Sequence, residues 1–274
     1  MLAPTSGVAY NNLGSIYLEL QEVEKAIECY HQALLLEPNL EESLLNLSHA
    51  YQWMGLKSQS EKNYAQAILC FEQALTLTPT EGEIYYYLGM NFKAQKNLEK
   101  ALECYEKALQ LNPPQIAHIY NNLGIIYEKQ GEWHFAYRCY EQAIASDPNL
   151  VHAQYNLARF LQYQGKLEEA ISHYKQAIER DPDFPSAYNN LAGLYHLMGY
   201  LTEGLYYYQE VIKRFPTYFT AYSNYLNLLL YQPQLTASSL LNELALWNRL
   251  LLNHIAFSYS HDHHIRDPDK KIKI

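Results

Sequence analysis

AHIYNNLGIIYEKQGEWHFAYRCYEQAIASDPNL, residues 117–150, decides the fold. Tyr120, Leu123, Gly124 and Tyr127 fall at i, i+3, i+4 and i+7, which is one apolar face of a helix. Gly131 breaks that pattern, and Ala136, Tyr140 and Ala143 set up a second helical face. Pro148 ends it, because proline lacks an N–H and disfavours helix at the residue before it. A hairpin of two such helices cannot bury both faces alone, so its apolar surface needs a neighbour of the same kind.

The neighbours are in the chain. Residues 7–40 repeat the register as Tyr10, Leu13, Gly14, Tyr17, Ala26, Tyr30, Ala33 and Pro38. Residues 82–115 repeat it as Tyr85, Leu88, Gly89, Phe92, Ala101, Tyr105, Ala108 and Pro113. Residues 151–184 and 185–218 follow with Leu157, Ala158, Ala170, Tyr174 and Ala177, then Leu191, Ala192, Gly204, Tyr208 and Val211. The period, about 34 residues, resembles that of tetratricopeptide repeats. The resemblance implies an all-α fold, a TPR α-solenoid in which antiparallel helix pairs wind into a right-handed superhelix. Small residues at positions 8, 20 and 27 let helices approach, and aromatics at positions 4, 11 and 24 fill the space between them. That accounts for most of the 27 tyrosines without tyrosine chemistry.

The expected organisation is an array over residues 1–232 with about seven repeats: 7–40, 41–81, 82–115, 117–150, 151–184, 185–218 and a partial 219–232. Repeat 41–81 is long by seven residues, and the surplus is placed in the polar stretch 55–63, GLKSQSEKN, as a surface insertion, with lengthened helices as the alternative since seven residues are close to two turns. Gln232-Pro233 stops the last repeat, and residues 233–257 read as a capping helix with Thr236 as its N-cap. Residues 258–274 read as a polar linker followed by the first strand of another domain, from the alternation in KKIKI.

Composition narrows the partners. A formal charge of −9 opposes phosphate binding, so no nucleic acid is expected. No run of 18 apolar residues exists, so no membrane span is expected, and the start lacks the layout of a signal peptide. A cytoplasmic location follows by default. Cys29, Cys70, Cys104 and Cys139 share repeat position 23 on successive second helices, too far apart for disulfides, and read as reduced packing thiols. His261, Asp262, His263 and His264 lack the spacing of a metal site, so no metal and no cofactor are expected.

The C-terminal part carries a narrower resemblance. Ser223, Asn224, Tyr231, Pro233, Leu235 and Trp247, then Arg266, Asp267, Pro268 and Lys271 to Ile274, resemble the junction in O-GlcNAc-transferase-like and SPINDLY-like proteins. There, such repeats run into the glycosyltransferase part. The resemblance implies a parent enzyme that transfers a sugar from a nucleotide sugar to protein Ser or Thr. The chain holds none of that catalytic domain, so it is expected not to be an enzyme itself.

Repeat position 6, on the first helix of each pair, holds Asn12, Asn46, Asn122, Asn156, Asn190 and Asn224, with Tyr87 as the exception. An amide offers a donor and an acceptor, which match the C=O and N–H of an extended peptide. In the O-GlcNAc-transferase-like family such a ladder grips protein substrates. Asparagine is also common here in repeats of this kind at large, where it bonds locally, and the sequence leaves both readings open. Positions 2, 5 and 6 carry no Lys or Arg, which disfavours a clamp for a C-terminal carboxylate; Arg159 is a lone inner cation at position 9. The expected partners are protein or peptide clients, with a homodimer possible through the exposed first helix. The alternative is a general scaffold or self-association module with no link to glycosyl transfer.

Overall fold

The computed structural model describes residues 6–261, with side chains through Leu252. Every regular element among the described residues is an α-helix. The chain divides into two compact units, residues 1–150 and 151–274. The first holds α1 (Gly7–Glu19), α2 (Val23–Leu36), α3 (Glu41–Ser60), α4 (Tyr64–Leu77), α5 (Gly82–Ala94), α6 (Leu98–Gln110), α7 (Ile116–Gln130) and α8 (Trp133–Ser146). The second holds α9 (Val151–Tyr163), α10 (Leu167–Arg180), α11 (Pro185–Leu197), α12 (Leu201–Arg214), α13 (Phe219–Leu229) and α14 (Ala237–His261). None of these helices is long and apolar enough to cross a membrane.

Within each unit the helices pair in sequence order, and one structural device recurs. The aromatic at position 24 of the second helix lies fully buried over the small residue at position 8 of the first. Tyr30 covers Gly14, Tyr105 covers Gly89 and Tyr140 covers Gly124; a Cβ built on each glycine would lie 2.6–2.7 Å from the ring. The turn between the two helices holds one left-handed residue at position 15: Gln21, Lys96, Gly131, Gly165 and Gly199 all have positive φ. Asn97 caps α6 by accepting from the backbone N–H of Lys100, and Pro185 opens α11, where a missing N–H is harmless.

The long second repeat departs from expectation. Its seven surplus residues do not lie at 55–63, and of the two forms expected they take the lengthened helix rather than the loop. They are two extra turns at the N-terminal end of α3, residues 41–47. Three markers fix the register. Gly55 lies under Phe71 as Gly14 lies under Tyr30, with a built Cβ 2.8 Å from the ring. Lys62 is the left-handed turn residue, φ 61°, one full period before Lys96. Ser48 meets the carbonyl of Ala74, as Gly7 meets that of Ala33. Repeat 2 therefore runs 48–81. The first part of α3 faces repeat 1, where Leu47 and Ala50 pack with Val23, Ala26 and Tyr30. Its second part pairs with α4. Two α-helical turns take 7.2 residues, so one straight helix serves both faces nearly in phase.

In the second unit, Trp247 of α14 stacks on Tyr222 of α13, with centroids 6.3 Å apart, and the Tyr222 hydroxyl donates to Glu243. Thr236 does cap α14: its Oγ1 accepts from the N–H of Ser239 at 3.1 Å. The helix continues to His261, beyond the expected end at 257, and replaces the start of the expected linker. The expected strand at 270–274 lies outside the described residues.

Candidate functional site

The first helices carry the expected row, but the structure gives its amides a different first duty. Three asparagines of the row donate their Nδ2 to a position 5 side chain of the preceding repeat. Asn46 donates to the Oδ1 of Asn11 at 3.0 Å, Asn190 to the hydroxyl of Tyr155 at 2.9 Å, and Asn224 to the Oδ1 of Asn189 at 3.0 Å. The ladder thus ties neighbouring repeats together, which the sequence reading did not include. An amide nitrogen has two N–H bonds, so Asn46 and Asn224 each keep one donor and one oxygen for another partner, while the oxygen of Asn190 also accepts from the Nδ2 of Asn189 at 3.2 Å. The signal was present in the Asn-Asn doublets at 11–12, 121–122 and 189–190. In the 189–190 doublet the first member receives from Asn224 and the second reaches across to Tyr155.

The seven candidate residues do not form one cluster. Asn12 is exposed on α1, and Asn46 is half-buried on the extra turns of α3, so in the corrected register it leaves position 6 of repeat 2 to Trp53. Asn122 is buried on α7. Asn156 is half-buried on α9. Arg159, Asn190 and Asn224 come together. With Gln162, Tyr163, Asn189, Gly193, Leu197 and Tyr208 they line an open groove of about 720 Å³ within the second unit. Its walls are amides, and its rim carries two apolar side chains that stand out into solvent, Tyr163 at 72% exposure and Leu197 at 67%. Burial raises the pKa of Tyr155 beside the groove, and the Arg159 charge pulls it back down. The groove offers hydrogen bonds in both directions, one cation and apolar footholds. It offers no nucleophile–base pair.

The first unit is built differently at the same level. Tyr87 replaces the asparagine, stacks on Phe71 and donates to Glu83 at 3.1 Å. Lys93, at position 12, donates to the Oδ1 of Asn122 at 2.5 Å. This cation was missed because only positions 2, 5, 6 and 9 were taken as inner. The cysteines all carry free thiols: Cys29 and Cys70 are buried, and burial pushes Cys104 and Cys139 up to about 11.

Family models described as tetratricopeptide repeat match residues 7–40, 48–81, 80–149, 139–172 and 185–218, and one described as TPR repeat matches 160–199. The second of these begins at Ser48, in agreement with the register of α3. Among solved structures, pilF of Pseudomonas aeruginosa is 18% identical with a TM-score of 0.58, over 82% of this chain and 97% of that one. The Cut9-Hcn1 structure of APC/C is 16% identical with a TM-score of 0.57, over 82% of this chain and only 43% of that one. YrrB, described as a TPR protein with an unusual peptide-binding site, is 20% identical with a TM-score of 0.53, over 71% of this chain and 96% of that one. At these identities the likeness is one of fold. No curated protein sequence matches the chain.

Proposed function

The chain belongs to the tetratricopeptide-repeat family, and from that premise we propose that it is a protein-interaction scaffold that holds extended polypeptide segments against its first helices. The observation that carries this reading is the amide-lined groove of the second unit. Asn224 keeps one N–H and its oxygen beyond the bond that ties the repeats, and the Oδ1 of Asn190, which accepts from the Nδ2 of Asn189 at 3.2 Å, keeps a second lone pair, a set that complements a peptide backbone without selecting its side chains. Tyr163 and Leu197 supply exposed apolar contacts on the rim. Arg159 adds one cation for an acidic or carbonyl group. Asn122 and Asn156 belong to the same sequence row and extend the reading along the first helices, with Asn12 and Asn46 at its N-terminal end. The peptide-binding site named for YrrB, a protein of like fold, is in keeping with it.

Calorimetric titration with a neutral, unfolded dodecapeptide tests the groove. Each amide contact contributes about 0.5–1.5 kcal/mol net, so Asn190→Ala with Asn224→Ala should weaken binding by about tenfold or more. Raising salt should change little. Both substitutions also remove inter-repeat bonds, so Tyr163→Ala with Leu197→Ala, which leaves those asparagine bonds in place, should weaken the same peptide. Unchanged affinity in both double variants would leave these residues as repeat architecture alone.

The narrower reading makes the array the substrate-recognition arm of a protein O-glycosyltransferase. It is supported by the likeness of residues 221–251 and 266–274 to the junction of that family. Co-purification of the chain with a nucleotide-sugar-dependent transferase activity, in trans or on the same polypeptide, tests it. The chain by itself should turn over no nucleotide sugar.

A further inference from the structure

Lys93 stands apart from the other charged residues of the first unit. Its side chain is half-buried, and its hydrogen-bond partner among the described residues is Asn122. It forms no ion pair among the described residues, in a chain with 29 carboxylates against 20 Lys and Arg. The charge that acts on it is Lys129, of the same sign; burial and that repulsion together lower its pKa. Asn122 turns its oxygen to Lys93, so its Nδ2 is left as a donor. Lys93, Lys129 and Asn122 thus present donors only.

With a lysine at this place an internal hydrogen bond seen in other repeats is not made. At position 12 the neighbouring repeats carry acceptors. The Tyr140 hydroxyl donates to Glu128 at 2.8 Å, and that of Tyr174 to Gln162 at 2.9 Å. In repeat 3 that place is Lys93, which reaches away to Asn122, and the fully buried Tyr105 hydroxyl has no partner among the described residues. A buried orphan hydroxyl and a half-buried, repelled cation are two local penalties.

We propose that Lys93 and Lys129, flanking Asn122 on α5 and α7, form a carboxylate site that takes an acidic side chain of the bound polypeptide. Their positions, 12 and 13, are those from which Gln162, Tyr163 and Leu197 line the groove of the second unit. The inference rests on the polypeptide-binding reading above and adds a preference for acidic segments, against the chain's net charge of −9.

Fluorescence anisotropy of the full chain with labelled octa-glutamate and octa-glutamine peptides tests it. Octa-glutamate should bind at least tenfold more tightly at low salt, and the preference should fall steeply with salt. Lys93→Gln with Lys129→Gln should abolish the preference while the fold stays as stable or gains stability, since a glutamine at position 12 gives the Tyr105 hydroxyl its acceptor. Asn190→Ala with Asn224→Ala, in the other unit, should leave the preference intact. Equal binding of the two peptides, no binding of octa-glutamate, or an undiminished preference in the double lysine variant would each overturn the proposal. Octa-glutamate binding through the lysines without any binding of neutral peptides would sink the amide-groove reading and leave this one standing.

Discussion

The buried tyrosines at position 24 share one environment and differ in what their hydroxyls meet, which makes them a controlled series. Tyr140 donates to a carboxylate, Glu128, while Tyr105 donates to nothing. Burial raises the pKa of Tyr105 strongly, so it stays a neutral phenol. Removing the hydroxyl should therefore act in opposite directions at two otherwise equivalent sites. Tyr140→Phe should destabilise by about 1–2 kcal/mol, because it removes a hydrogen bond to a charged acceptor. Tyr105→Phe should be neutral or stabilise by up to about 1 kcal/mol, since an unsatisfied polar group leaves the core. Urea titration of the two variants against the parent chain measures the difference. Equal losses would mean that the Tyr105 hydroxyl has a partner after all.

At the scale of the element, α3 is the informative case. Leu44, Leu47 and Tyr51 open a plausible repeat at residue 41, while Ser48, Gly55 and Lys62 open a true one at residue 48. The two registers differ by seven residues, close to two turns, so the apolar stripe is legible in both and the sequence cannot choose. Gly55 separates them. If it lay in a surface insertion, Gly55→Ala would stabilise helix by up to about 1 kcal/mol. Lying under Phe71, the added methyl overpacks the pair, and the net effect should be a loss of about 1–2 kcal/mol. The midpoint of urea unfolding gives the sign. The helices themselves were legible because glycine, alanine and tyrosine columns recur at fixed spacing and each turn has its left-handed residue. The site was legible only in part. The asparagine row is a local pattern, but the bonds from Asn190 to Tyr155 and from Asn224 to Asn189 span 35 residues and exist only once repeats stack. Lys93 was hidden because the depth of position 12 depends on that stacking.

For the whole molecule, the tyrosine-rich interior sets a limit at high pH. Burial pushes Tyr87, Tyr208 and Tyr222 up to about 12, and Cys104 and Cys139 to about 11, above ordinary values of 10 and 9. These groups are neutral when protonated, so the folded chain holds its protons more tightly than the unfolded one. The resulting stability is complete below about pH 9 and is lost as pH rises through about 9 to 12. Helical circular dichroism followed by pH titration should show a cooperative alkaline transition, and an Asp- or Glu-like loss confined to acid would contradict it. Net charge, helix content and repeat number say nothing about which surface is used, and that is the central matter. A photo-cross-linking residue placed at Tyr163 or Leu197, on the groove, and at Tyr206, exposed on the second helix α12, separates the faces of the second unit. With an unfolded neutral peptide, the account predicts adducts from positions 163 and 197 and only background from 206; equal yields from all three, or adducts from 206 alone, would contradict it.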